Sequence, residues 1–251
     1  EYAGACRLAG AEILSLDASG GAGFRWDLEE AAACIDATAP SLVIVCNPNN
    51  PTGVYLGRQD VEILAAAATR AESLLVVDEA YLSFVHGPWN SLELLERDNV
   101  VLVRSMTKDY ALTGLRLGYA LASESVAANL RAFQLDWSVN SLAQRAGIAA
   151  LADFDYLPNA RNAVRESKEF LSQRLSRLGI NVFPGEANFL LVEVGNAEAW
   201  RSALLRQGLV VRDCTSFGLP AYIRVGLRLL PDCRRLADAM EQLIARLGLS
   251  P

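Results

Sequence analysis

The chain has 251 residues, enough for one or two domains with a sizeable core, and its 52% apolar and 21% charged residues make a globular composition, not a disordered one. A net charge of −6 with no basic tract argues against a nucleic-acid partner. The longest apolar runs, such as Ser73-Leu-Leu-Val-Val-Asp78, fall far short of the roughly 20 residues a membrane span needs, so no membrane partner is expected.

In chain order, the opening Glu1-Tyr-Ala-Gly-Ala-Cys-Arg7 has no basic segment followed by an apolar run, so it does not read as a secretory signal. It reads instead as the inside of a helix, which predicts an N-terminal truncation. A helical pattern lies near Asp27–Ala37. A buried strand is expected at Leu42–Cys46, a helix at Arg58–Glu72, strands at Leu74–Val77, Val100–Val103 and Leu117–Ala122, and a helix near Glu124–Phe133. This alternation predicts an α/β fold, a three-layer αβα arrangement around a mostly parallel sheet, with chemistry at the carboxyl ends of the strands. A long helix from Leu157 to Leu178, stopped by Gly179, leads to a different pattern. Strands Phe189–Val194, Val210–Arg212 and Ile223–Leu227 surround a helix near Ala197–Arg206, and a last helix covers Asp232–Leu247. The expected division is residues 1–156, a large domain whose N-terminal part is missing, and residues 157–251, the connector helix with a smaller C-terminal α+β domain.

The five cysteines, Cys6, Cys34, Cys46, Cys214 and Cys233, are odd in number and scattered, with no Cys-x-x-Cys pair. That points to a reducing, cytoplasmic compartment and away from disulfides or a zinc site. With His86 as the one histidine, neither a histidine triad nor a multi-histidine metal site can be built, and no metal is expected.

Four stretches carry candidate chemistry. Cys46-Asn-Pro-Asn-Asn-Pro-Thr-Gly53 follows a strand; two prolines and a glycine make a rigid turn, and its amides can hydrogen-bond a ligand. In Val76-Val-Asp-Glu-Ala-Tyr81 an acid ends a buried strand; alone, Asp78 is better read as a helix cap. In Arg104-Ser-Met-Thr-Lys-Asp-Tyr110 a lysine follows a strand between hydroxyl residues, and in Thr113-Gly-Leu-Arg-Leu-Gly118 an arginine sits between glycines. Alone, the lysine is better read as a solvated surface residue, and the arginine equally as surface. Each stretch is expected to follow a strand, so all four converge on one edge of the sheet. Together they supply an amine for an aldehyde, a carboxylate for a pyridine nitrogen, donors for a phenolate, and hydroxyls and an arginine for a phosphate.

That set, in that order, resembles the fold type I pyridoxal-phosphate (PLP) aminotransferases. Within them it is most similar to the histidinol-phosphate aminotransferase group, which includes the threonine-phosphate decarboxylases of cobalamin synthesis. The resemblance implies that Lys108 forms the Schiff base with PLP and shuttles the α-proton. It implies that Asp78 pairs with the pyridinium nitrogen, that Tyr81 and Asn50 bond the phenolic oxygen, and that Ser105, Arg116 and Thr107 hold the phosphate. Tyr222-Ile-Arg-Val225 resembles the segment whose arginine grips the substrate carboxylate, here Arg224. Asn188, in Ala-Asn-Phe-Leu-Leu, resembles an asparagine near the substrate, and Arg212 a second arginine for a phosphate or carboxylate; both could equally be strand-end hydrogen bonders. The resemblance further implies an amino donor, a 2-oxo acid acceptor and a homodimer with its sites at the subunit interface. The family's glycine-rich phosphate-binding helix start, stacking aromatic residue and N-terminal arm would all precede Glu1. Two rivals stay open: a decarboxylase of threonine phosphate, towards which Trp137-Ser-Val-Asn140 and Arg212-Asp-Cys-Thr-Ser-Phe-Gly218 tilt, and a remnant that keeps the fold without turnover.

Overall fold

The protein was analysed as a computed structural model, which describes residues 2–18 and 23–247. A short helix α1 (Tyr2–Leu8) opens it, and an irregular stretch leads to α2 (Leu28–Thr38). Asp27 caps α2 by accepting hydrogen bonds from the Glu29 and Glu30 amides, both at 3.0 Å. Strand β1 (Leu42–Cys46), helix α3 (Arg58–Arg70), strand β2 (Leu74–Asp78), strand β3 (Val100–Ser105), the single-turn helix α4 (Met106–Asp109) and strand β4 (Gly118–Ala122) follow. The strands lie in the order β1-β2-β3-β4. The first two pairings are parallel, with Cys46 opposite Asp78 and Asp78 opposite Val103; the β3–β4 pairing is antiparallel.

The fold is thus α/β with a mixed, mostly parallel sheet. In β2 the side chains alternate: Leu75 and Val77 are buried against Val61, Leu64, Ala65 and Ala68 of α3, with α2 packed behind. Glu79, just past β2, is buried and pairs with Arg104 of β3 at 2.8 Å. The antiparallel fourth strand departs from one expectation. Thr113–Gly118 does not follow a strand but leads into β4, and only the reversal of direction returns it to the shared edge, with Gly118 opposite Ser105. A Cβ on Gly118 would stand 2.8 Å from the Arg104 carbonyl oxygen, so this glycine permits the close β3–β4 approach.

Helices α5 (Glu124–Ala132), α6 (Ser141–Ala152) and α7 (Tyr156–Arg177) follow. Helix α6 was not anticipated. Its apolar residues circle the helix, only Ala143 and Gly147 are buried, and no stripe of period 3.6 marks it. Its visible signal is the cap, where the Asn140 side chain accepts from the Ala143 amide at 2.9 Å.

The second sheet contains β5 (Val182–Phe183), β6 (Phe189–Glu193), β7 (Arg212–Asp213) and β8 (Tyr222–Gly226), in the order β5-β6-β8-β7 and antiparallel throughout; α8 (Ala197–Leu205) precedes β7 and α9 (Leu230–Leu247) closes the chain. Strand β7 begins two residues later and ends one residue later than the expected Val210–Arg212. Leu171 and Leu175 of α7, Trp200 and Leu204 of α8 and Met240 of α9 bury themselves against Leu190, Val192, Ile223 and Val225.

Two of the features that join the sheets lie side by side. Phe24 packs edge-on against Phe183 and Tyr222, with ring centroids 5.0 and 5.6 Å away, in a cluster with Val54, Leu191 and Cys214. Beside it, backbone meets backbone. The Glu186 amide donates to the Gly53 carbonyl at 2.7 Å, and a Cβ on Gly185 would lie 2.9 Å from both Gly53 Cα and the Thr52 carbonyl oxygen.

Candidate functional site

The β1–α3 loop is held by its first asparagine. The buried Asn47 side chain accepts from the Leu56 amide at 2.7 Å and donates to the Leu56 carbonyl at 3.0 Å. The Asn47–Pro48 and Asn50–Pro51 bonds are both cis. Asn50 meets the second sheet, where its Oδ1 accepts from Nη1 of Arg224. The Arg224 guanidinium lies over the Phe189 ring at 5.0 Å, and Phe189 meets Tyr81 edge-on at 5.1 Å. The Lys108 ammonium stands 5.4 Å from the centre of the Tyr81 ring. Lys108, Tyr81, Phe189, Arg224 and Asn50 therefore form one unbroken line of contacts across the junction of the two sheets.

Asp78 lies at the same edge, at the end of β2. Its Oδ1 accepts from the Ala80 amide at 2.9 Å, a local turn bond of the kind its sequence context suggests. Its Oδ2 accepts from the Tyr2 hydroxyl at 2.6 Å. Cys46, opposite Asp78 in the ladder, feels both the Asp78 carboxylate and the Lys108 ammonium. Burial, reinforced by that carboxylate, pushes its thiol up to about 11, so at neutral pH it is a protonated thiol.

The predicted phosphate group is less gathered. Ser105 Oγ caps α4, accepting from the Thr107 amide at 3.3 Å. Arg116 is exposed, with a left-handed backbone (φ 57°), and its Nη1 donates to the Thr113 carbonyl at 3.1 Å. On the second sheet Arg212 is the cross-strand partner of Arg224. It is exposed, donates to Ser216 Oγ at 2.8 Å and lies 5.5 Å from the Phe217 ring centre. Asn188, half-exposed just before β6, accepts at its carbonyl from the Leu227 amide at 3.0 Å.

Residues outside the sequence motifs complete the arrangement. Phe189 bridges Tyr81 and Arg224; its adjacency to Asn188 was its one signal. Asp109, next to Lys108, is pushed up from 3.8 to about 6 by burial, while Ser83, Arg161, Arg104 and Lys108 pull the other way. Arg161 of α7 donates to the Ser83 carbonyl, and Tyr110 stacks on Tyr156 at 5.9 Å, so α4 rests on the first turns of α7. A carboxyl with a higher pKa folded than unfolded holds its proton more tightly in the folded chain. The stability it contributes is complete below about pH 3.8 and lost as pH rises towards about 6. Asp109→Asn, neutral throughout, keeps that stability. Its advantage over the native chain is expected to grow across this window and stay level above it, read as the difference in urea midpoints.

The donor set (a primary amine, a strand-end carboxylate, a phenol, an amide, hydroxyls and three arginines) matches the needs of a phosphorylated pyridine aldehyde. An ionised carboxylate offers about four lone-pair positions, so the two bonds on Asp78 leave room for a further donor. Among the described residues no cluster of three His, Cys, Asp or Glu side chains could hold a metal ion, and no helix is long and apolar enough to cross a membrane.

Residues 1–240 match the family model of the class I and II aminotransferases. The chain is 39% identical over 246 residues to a histidinol-phosphate aminotransferase of Symbiobacterium thermophilum, covering 96% of this chain and 66% of that protein. It is 37% identical over 223 residues to histidinol-phosphate aminotransferase 2 of Pseudomonas aeruginosa, covering 87% and 60%. Among solved structures, the histidinol-phosphate aminotransferase from Clostridium acetobutylicum matches with a TM-score of 0.89 at 24% identity, over 96% of this chain and 74% of that one. The L-threonine-O-3-phosphate decarboxylase from Porphyromonas gingivalis matches with a TM-score of 0.82 at 25% identity, over 98% and 74%. The chain thus spans 66% and 60% of the length of the two curated relatives.

Proposed function

Because this chain belongs to the class I and II aminotransferases, a family of PLP-dependent enzymes, we propose that it moves an amino group between an amino-acid or amino-phosphate donor and a 2-oxo acid, as a histidinol-phosphate aminotransferase does. The observation that carries this reading is the line Lys108–Tyr81–Phe189–Arg224–Asn50 beside the Asp78 carboxylate. Residues 1–156 form the cofactor-binding domain, and residues 157–251 the connector and the small domain. The working enzyme is a cytoplasmic homodimer.

In this reading Lys108 holds the cofactor aldehyde, Asp78 faces the ring nitrogen, Tyr81 and Asn50 bond the phenolic oxygen, and Ser105, Thr107 and Arg116 hold the phosphate. When bound, PLP supplies an electron sink that weakens the bonds at the substrate α-carbon. The chain does the rest. Arg224 grips the substrate carboxylate in a bidentate pair, and its bond to Asn50 fixes the plane of the guanidinium. Lys108, as a free amine, would take the proton from the substrate α-carbon, a general acid–base role. The Tyr81 ring borders the amine and limits where it can swing. Arg212, beside Arg224 in the ladder, meets the substrate's second anion, and Asn188 bonds its polar groups.

A decarboxylase of threonine phosphate is the second reading, supported by the likeness to the Porphyromonas gingivalis enzyme. The complete gene product is incubated with PLP and either histidinol phosphate plus a 2-oxo acid or threonine phosphate. Amination of the 2-oxo acid without carbon dioxide supports the transaminase. Carbon dioxide from threonine phosphate replaces it with the decarboxylase. Neither product, together with no visible absorbance from bound PLP, rejects both.

A further inference from the structure

Nothing in α1 is buried, yet its first described residue reaches across 76 positions to the end of β2. Burial first, then the neighbouring Cys46 and Asp78, hold the Tyr2 proton on its hydroxyl far above the ordinary range, so Tyr2 is a donor at any working pH. The Cys46 thiol faces the same group while donating to the Pro48 carbonyl at 3.2 Å. Asp78 thus has one donor on each oxygen, the Ala80 amide at 2.9 Å and the Tyr2 hydroxyl at 2.6 Å. Two bonds on different oxygens fix the plane of a carboxylate.

We infer that Tyr2 is a positioning residue: its hydroxyl fixes the Asp78 carboxylate in one plane against the ring nitrogen of the cofactor. The inference rests on the reading that Asp78 meets that nitrogen. A rival geometry has the Tyr2 hydroxyl standing in the nitrogen's own place, where it would compete with PLP. The two differ in sign. If Tyr2 positions, losing the hydroxyl weakens PLP; if it competes, losing the hydroxyl tightens PLP.

Tyr2→Phe keeps the ring and removes only the hydroxyl that bonds Asp78. In the complete gene product it is expected to weaken PLP about tenfold, the scale of one hydrogen bond to a charged group. It is also expected to raise the pH at which the visible band of bound PLP titrates, because a loosely held carboxylate supports the positive ring nitrogen less firmly. In an Asp78→Asn background the same change is expected to add nothing. Unchanged affinity and titration, tighter PLP binding, or a full additional effect in that background would each overturn the inference. If the native protein gains no visible band that Lys108→Ala removes, the reading of the site fails and takes this inference with it. If the band forms but ignores Tyr2→Phe, only the inference fails.

Discussion

Lys108→Ala is expected to abolish the visible absorbance that PLP gains on condensing with an amine, and to lower turnover by about 10⁴-fold, the upper end of what a positioned acid–base group supplies. The chain makes the test sharp, for it has only two lysines, Lys108 and Lys168. Lys168 is a fair competitor: burial lowers its pKa, which favours a nucleophilic amine. Its ammonium, however, donates to the Gly185 carbonyl at 2.5 Å, whereas Lys108 stands over Tyr81 in line with Arg224. Lys168→Arg keeps a donor for that carbonyl and cannot condense with an aldehyde, so the band is expected to survive it. A band lost in Lys168→Arg and kept in Lys108→Ala would move the attachment point and end the present account of the site.

Glu79→Ala is expected to destabilise the chain by about 3–5 kcal/mol, read as a lower urea midpoint at constant slope. The Glu79 side chain is 2% exposed and bonded to Arg104 at 2.8 Å, and Arg104 also reaches Ser91 Oγ at 3.2 Å. Removing the carboxylate leaves a guanidinium in a partly buried place with only neutral partners, Ser91 and Tyr119. Glu79→Gln keeps an acceptor and is expected to fall between the two. The pair ties β2 to β3 one residue past Asp78 and one before Ser105, so the same loss would slacken the edge that presents Lys108. A midpoint unchanged in Glu79→Ala would mean that water already compensates the arginine.

What the sequence made legible was local. Leu42–Cys46 is a strand to the residue, because an unbroken branched run between turn residues has few other folds open to it. The long helix, expected over Leu157–Leu178 and found at Tyr156–Arg177, was legible because its buried Ser167, Leu171 and Leu175 repeat at every fourth position. Asp78, Lys108 and Asn50 were singled out because each lies in a short motif at or just past the end of a strand. Contacts that close only in three dimensions left no such mark. Tyr2 touches Asp78 from a helix with no buried face, and Phe189 is one apolar residue in a run of four. Arg104 and Glu79 lie 25 residues apart, and nothing in either stretch names its partner. The direction of the fourth strand was likewise invisible, since a five-residue run reads the same parallel or antiparallel.

The Gly53–Gly185 contact sets the spacing between the two walls of the site. The loop that presents Asn50 and the segment that delivers Asn188 and Phe189 to β6 meet there with no side chain between them. A side chain at Gly185 would wedge the walls apart and carry Arg224 away from Asn50. The width of the site is therefore governed less by the residues that line it than by how thin the backbone is where its walls are pinned.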